Sequence, residues 1–120
     1  MFDEFWKIYP HHGARSKKAI AQAKWRAITN GGLDTRAKDE GGMVPLFLQA
    51  NCVELIDGVK AYRMSLSDAD LQYVPGAQIW LNQGRWMDCD NASELAERYD
   101  RMKGIETRLA EQGKLRVVNG

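Results

Sequence analysis

The most regular apolar pattern of the sequence lies near its centre, between Pro45 and Leu66. The stripe consists of Leu48, Cys52, Leu55, Ile56, Val59, Tyr62 and Leu66. These residues follow helical spacing, so they predict a long central helix that is buried along one face. Gly58 interrupts the run at a cost of up to about 1 kcal/mol relative to alanine, which predicts a close packing neighbour there.

Two helices are predicted before the central one. The first covers residues 2–9 and ends at Pro10, because the residue before a proline disfavours helical geometry. Its aromatic face consists of Phe2, Phe5, Trp6 and Tyr9. The second runs from Ser16, a suitable N-cap, to Ile28. Residues 30–44 contain four glycines and mixed charge, which indicates a loop.

Two more helices are predicted after the central one. A short helix is expected over residues 77–81, and a long one from about Asn91 to about Gln112. An apolar residue recurs every seven positions along the last helix, at Leu95, Met102 and Leu109. We assign no strand, so the predicted fold is all-α: a compact single-domain bundle of about four to five helices.

The predicted organisation has two parts. Residues 1–90 form a helical module, and residues 91–120 form a C-terminal amphipathic helix that packs on the module or self-associates. The length of 120 residues is typical of one domain, and 44% hydrophobic with 28% charged residues is typical of a globular protein. With no apolar stretch near the roughly 20 residues of a membrane span and no signal peptide, we expect a cytoplasmic protein.

The sequence contains no catalytic or cofactor-binding motif. It lacks a glycine-rich phosphate loop, an HExxH motif and a nucleophile elbow, so we expect no catalytic residue and no cofactor. His11 and His12 are interpreted as solvated loop residues, and the paired aspartates as turn and capping residues. Cys52 and Cys89 lack the spacing of a metal motif and are expected to be free thiols, so we predict no metal site.

The distribution of charge favours a polyanionic partner for the first quarter of the chain. Residues 1–30 carry six basic and two acidic side chains, a net charge of +4, whereas the whole chain has a net charge of +1. The candidate DNA-binding residues of the second helix are Lys17, Lys18, Lys24 and Arg26.

Two tryptophans near the end of the module have two interpretations. Trp80 and Trp86 flank Arg85, and an aromatic pair beside an arginine can stack on the bases of single-stranded DNA. Arg85 and Trp86 are therefore added to the DNA-binding candidates. The alternative is that both rings clamp the short helix against the core, which is the more frequent arrangement.

Two blocks of the sequence together resemble a known family. Residues 2–28 contain Phe-Asp-Glu-Phe-Trp-Lys-Ile-Tyr-Pro followed by Lys-Lys and Ala-Lys-Trp, and residues 73–88 contain Pro75 and Trp80-Leu81-Asn82-Gln83-Gly84-Arg85-Trp86. This pattern resembles the FWxxYP…WLNxxRW helical module of phage and prophage replication-initiation proteins of the helicase-loader type. The sequence departs from it at His11 and His12, where the family has basic residues, and in the longer glycine-rich segment 30–44.

The resemblance implies a non-catalytic module of DNA replication whose partners are single-stranded DNA and the replicative helicase. The spacing also makes structural sense, since the shared residues would define the fold. These structural-motif residues are Phe5, Trp6, Tyr9, Pro10, Trp25, Trp80, Leu81 and Asn82. The short helix is expected to end at Asn82 or Gly84, and an asparagine at Asn82 tolerates the left-handed geometry that ends a short helix.

Three functions are therefore retained. The first is a replication accessory module that binds DNA, expected to be single-stranded, or the replicative helicase, or both. The second is a protein-docking module of a phage-type regulator that recruits a host factor, such as an RNA polymerase subunit, without binding DNA. The third is self-association as a homodimer through the C-terminal helix.

Overall fold

A computed structural model describes the backbone of residues 1–119, and the side chains of these residues except Ala37, Asp39 and 110–119. The described chain contains the helices α1 (Phe2–Ile8), α2 (Lys18–Thr29), α3 (Cys52–Ser65), α4 (Ala77–Asn82) and α5 (Ala92–Asn119). The strands β1 (Leu33–Asp39) and β2 (Gly42–Leu48) lie between α2 and α3. Two 3-10 helices, Asp68–Tyr73 and Arg85–Asp88, flank α4.

The hairpin of β1 and β2 shows that the predicted all-α fold was wrong and that the fold is α+β. The strands pair antiparallel, with Leu33 opposite Leu48 and Thr35 opposite Leu46. Alternate side chains of a strand point to the same face, so these four residues share the face that Leu48, 1% exposed, buries in the core. Segment 30–44 is therefore largely hairpin and not an extended loop.

The central helix is shorter than predicted because its N-cap is Asn51, six residues after the predicted start at Pro45. The Asn51 side chain accepts a hydrogen bond from the Glu54 backbone N–H (2.8 Å), and the Glu54 carboxylate accepts one from the Asn51 backbone N–H (3.4 Å). This capping box fixes the start of α3 at Cys52. Pro45 lies on β2 opposite Arg36. Both strands of a two-stranded hairpin are edge strands, and edge strands are where proline is found in sheets.

Aromatic side chains from both sequence blocks form the core. The Phe5 ring centroid lies 5.2 Å from that of Trp25 and 5.7 Å from that of Trp80. The predicted structural-motif residues that are buried are Phe5, Tyr9, Pro10, Trp25, Trp80 and Leu81. Trp6 and Asn82 are half-buried. The close neighbour predicted at Gly58 is Trp86, whose Cβ occupies the space that a Cβ at Gly58 would need.

A set of hydrogen bonds connects the start of α2 to the start of α4. Ser16 does not cap α2 as predicted, since Lys17 is the N-cap residue. The Ser16 hydroxyl instead accepts a hydrogen bond from the Ala77 backbone N–H (3.0 Å) at the beginning of α4. The Gln78 side chain accepts a hydrogen bond from the Lys17 backbone N–H (2.9 Å) and donates one to the Arg15 carbonyl (3.1 Å).

His11 lies in a loop and is exposed, as predicted, and its ring also takes part in this set of hydrogen bonds. Its Nε2 lies 2.8 Å from the Trp6 carbonyl oxygen and its Nδ1 lies 2.7 Å from the Ser16 hydroxyl. Because a carbonyl can only accept, Nε2 is the donor in the first bond. The histidine therefore holds α1 against the segment before α2.

The left-handed position after α4 is glycine and not Asn82. Gly84 has φ +64°, and no non-glycine residue has a positive φ within the described backbone. Asn82 instead ends α4 with ordinary helical geometry, so its side chain is available for contacts with α2 and β1.

The first turns of α5 pack against α3. Ala96 and Tyr99 are buried, and Lys60 forms an ion pair with Asp100 (2.7 Å). Leu95 is half-buried, whereas Met102 and Leu109 are exposed, and the helix continues past the predicted end to Asn119. Within the residues that the structure describes, no helix is both long and apolar enough to span a membrane.

Candidate nucleic-acid interface

A groove of about 530 Å³ lies between α2, the hairpin and α4. Its described lining residues are Lys24, Arg36, Lys38, Met43, Gln78, Ile79, Asn82 and Gln83. This set contains three cationic side chains, three amides and no carboxylate. The groove therefore offers positive charge and neutral hydrogen-bonding groups, a combination suited to phosphate.

The Asn82 side chain connects the elements that form the groove. Its Oδ1 accepts hydrogen bonds from Lys24 Nζ (2.9 Å) on α2 and from Thr35 Oγ1 (2.9 Å) on β1. Both donors use the same oxygen, and within the described residues Asn82 Nδ2 has no hydrogen-bond partner. The amide therefore fixes the positions of α2 and β1 relative to α4 and keeps a donor for a ligand.

Among the described side chains, no carboxylate forms an ion pair with a cation of the groove. The described ion pairs involve Lys60, Arg98 and Lys103 as cations, none of which lines the groove. Lys24 contacts only the neutral Asn82 amide, and Arg36 and Lys38 have no ion-pair partner among the described side chains. An anionic ligand would consequently meet three uncompensated positive charges.

The four predicted basic residues of α2 do not form one surface. Lys24 lies in the groove, and Lys17 is bonded through its backbone to Gln78, which also lines the groove. Lys18 extends to the other side of the helix, with Nζ 5.8 Å from the Trp6 ring centroid. Arg26 is exposed and does not line the groove, so Lys24 is the one of these four residues whose described side chain lines it.

Arg85 and Trp86 do not form the exposed surface that base stacking requires. The Trp86 ring is 6% exposed and lies 6.0 Å from Trp80, so both rings clamp the short helix against the core. Arg85 donates from Nε to Gln83 (2.7 Å) and lines a separate cavity of about 280 Å³ beside Tyr62. Burial raises the pKa of Tyr62, and Arg85 opposes this shift.

An exposed aromatic ring nevertheless lies next to the groove. Phe47 on β2 is 56% exposed, and its ring covers Gly32, where a Cβ would overlap it. Phe47 and Arg36 line a shallow recess together, and Arg36 also lines the groove. Asp34 is the described carboxylate in that recess. A cationic groove therefore continues into an aromatic surface.

Sequence reasoning missed Arg36 and Lys38 because it treated segment 30–44 as a loop, and it missed Phe47 because it placed that residue in the predicted central helix. The signal was the two-residue alternation of Val44, Leu46 and Leu48, which places the intervening Phe47 on the outer face. Within the described side chains, no group of three or more metal-ligating residues is found. Comparison of the chain with protein-family models, with curated proteins and with solved structures found no match.

Proposed function

We propose that this protein is a non-catalytic accessory module of DNA replication that binds single-stranded DNA in the groove between α2, the hairpin and α4. The proposal rests on three cations, Lys24, Arg36 and Lys38, that have no ion-pair partner among the described side chains and line a groove without a described carboxylate. Three cations of this kind can contact successive phosphates of one strand.

The Phe47 ring favours single-stranded over double-stranded DNA. An exposed aromatic ring can stack on an unpaired base of any sequence, whereas the bases of a duplex are already stacked on each other. Arg36 lies between the groove and the Phe47 recess, so a strand with its phosphates in the groove would place a base near the ring. Met43 and Ile79, both exposed, provide apolar contact for the sugars.

The replication context of the proposal comes from the resemblance of the two sequence blocks to phage and prophage replication-initiation proteins. Most of the residues shared with that pattern lie in the core and stabilise the fold, whereas Asn82 lines the groove. Binding to the replicative helicase is part of the same proposal and rests on the resemblance alone.

The test compares two pairs of substitutions that remove the same charge. Arg36→Gln with Lys38→Gln removes two groove cations, whereas Lys18→Gln with Arg26→Gln removes two cations outside the groove. Fluorescence anisotropy with a labelled single-stranded oligonucleotide should show weaker binding for the first pair and little change for the second. Equal effects of the two pairs would contradict the groove assignment.

The aromatic contact is tested separately. Phe47→Ala should weaken single-strand binding by about 1–3 kcal/mol, the usual contribution of one stacked base. Tyr73→Ala is the matched control, because Tyr73 is 76% exposed and does not line the groove or the Phe47 recess. If the two substitutions have the same effect, Phe47 is not a stacking residue.

A second candidate function, a protein-docking module that recruits a host factor, is favoured by an exposed apolar surface on α2. Ala19, Ile20 and Ala23 line a shallow depression with Leu33, and Ile20 is 50% exposed. The buried residues of α2 are Ala21, Trp25 and Ile28, so Ala19, Ile20 and Ala23 lie at the surface. Ile20→Glu should abolish capture of a purified helicase or RNA polymerase subunit and leave DNA binding unchanged if this surface docks a protein.

A further inference from the structure

The middle part of α5, between residues 102 and 109, leaves three apolar side chains partly exposed. Met102 is 39% exposed, Ile105 55% and Leu109 61%. At 1.5 Å per residue, the 28 residues of α5 extend about 40 Å, whereas the 14 residues of α3, its main packing partner, extend about 20 Å. The molecule is correspondingly elongated, with extents of 64, 32 and 29 Å.

The residues along this face are arranged symmetrically about Met102. Leu95 and Leu109 lie seven positions before and after Met102, and Arg98 and Glu106 lie four positions before and after it. These offsets correspond to nearly whole turns of an α-helix, so all five residues lie on one side of α5. The side chains of Arg98 and Glu106 are 56% and 57% exposed.

We propose that two copies of this chain associate through α5, with the helices antiparallel and a two-fold axis at Met102. In that arrangement each residue faces the residue at the opposite offset in the second copy. Leu95 therefore faces Leu109, Met102 faces Met102, and Arg98 faces Glu106. Apolar contacts alternate with two symmetry-related ion pairs, so the order of apolar and charged residues along α5 is self-complementary.

The charge pattern distinguishes this register from parallel pairing. In a parallel pair in register, Arg98 faces Arg98 and Glu106 faces Glu106, which places like charges together. Within the chain the same two residues have only exposed partners on α5, Glu94 at 3.1 Å and Lys103 at 3.2 Å. Exposed ion pairs of this kind contribute little to stability. Replacing them by ion pairs between the two copies of a dimer therefore costs little free energy.

Charge reversal with rescue tests the register by sedimentation equilibrium at concentrations up to about 200 µM, a range that detects weak association. Arg98→Glu and Glu106→Arg should each weaken the dimer about tenfold, because each converts two attractive pairs into repulsive ones. The double variant Arg98→Glu with Glu106→Arg should recover dimerisation. Glu97→Arg, on another side of α5, is the control and should have no effect.

A cysteine at the proposed axis gives an independent measurement. In a variant in which Cys52 and Cys89 are replaced by serine, Met102→Cys should form a disulfide-linked dimer under mild oxidation, because the axis brings residue 102 of both copies together. Thr107→Cys, which is exposed away from this face, should not. A monomeric wild-type chain, an uncrosslinked Met102→Cys variant or failure of the double charge reversal to recover the dimer would overturn the proposal.

Discussion

The phenol of Tyr9 donates a 2.6 Å hydrogen bond to the backbone carbonyl of Pro75, a residue 66 positions further along the chain. The bond joins the tyrosine of the first sequence block to the proline of the second. Tyr9 is 1% exposed, so removal of its hydroxyl would leave the Pro75 carbonyl without this partner. We expect Tyr9→Phe to lower the free energy of unfolding by about 1–3 kcal/mol in urea denaturation. A cost near zero would show that the bond does not contribute.

The same residue predicts a loss of stability in alkali. Burial, and to a smaller extent the nearby Tyr62 phenol, raise the pKa of Tyr9 above the ordinary tyrosine value of about 10. The folded state then holds the proton more tightly than the unfolded state, so its stabilisation is complete below about pH 10 and is lost as the pH rises further. Urea denaturation between about pH 9 and pH 11 should show a larger loss of unfolding free energy for the wild type than for Tyr9→Phe, which lacks the titrating phenol.

Two tryptophans are expected to contribute most to the core. Trp25 is 4% exposed and Trp80 is fully buried, so replacing either by alanine should cost about 3–5 kcal/mol of unfolding free energy. Ile79→Ala is the control for Trp80→Ala, because Ile79 lies on the same helix and is 43% exposed. Equal melting temperatures for the two α4 variants would contradict this description of the core.

Trp80→Phe separates the size of the ring from its polar group. The Trp80 indole Nε1 is buried and has no hydrogen-bond partner within the described part of the chain. The phenylalanine variant loses volume but also removes an unpaired buried donor. Its unfolding free energy should therefore lie closer to that of the wild type than to that of Trp80→Ala.

Two helical glycines should respond to alanine in opposite directions. At Gly58 an added Cβ would overlap the Cβ of Trp86, so Gly58→Ala should destabilise the protein despite the better helix propensity of alanine. At Gly104 nothing lies within 4 Å of an added Cβ, so Gly104→Ala should stabilise α5 by up to about 1 kcal/mol. Thermal unfolding of the two variants measures both effects, and stabilisation at Gly58 would contradict the close contact with Trp86.

The helices near the two sequence blocks could be predicted because local signals agree there with the packing. Residues 2–9 carry an aromatic face followed by proline, and the structure begins α1 at Phe2 and ends it at Ile8. Gly58 within an apolar stripe indicated a close neighbour, and Trp86 fills that position. In both places the local sequence pattern agrees with a single structural interpretation.

The hairpin could not be distinguished in the same way. Leu48 fits both a helical stripe that continues to Cys52 and Leu55 and a strand alternation with Val44 and Leu46. The choice depends on the Asn51 capping box, which begins α3 after Leu48, and on the pairing with β1. Pairing between distant residues is tertiary information, so Arg36 and Lys38 could not be assigned to the groove from local spacing.

The salt dependence of single-strand binding tests the groove most directly. For a single strand, the logarithm of the association constant falls by about 0.7 for each phosphate contact per tenfold increase in salt. With contacts from Lys24, Arg36 and Lys38 the wild type should show a slope near −2, and Arg36→Gln with Lys38→Gln should show a slope near −0.7. Lys18→Gln with Arg26→Gln should retain the wild-type slope. No binding of the wild type at about 50 mM salt, or an unchanged slope in the groove variant, would contradict the proposed function.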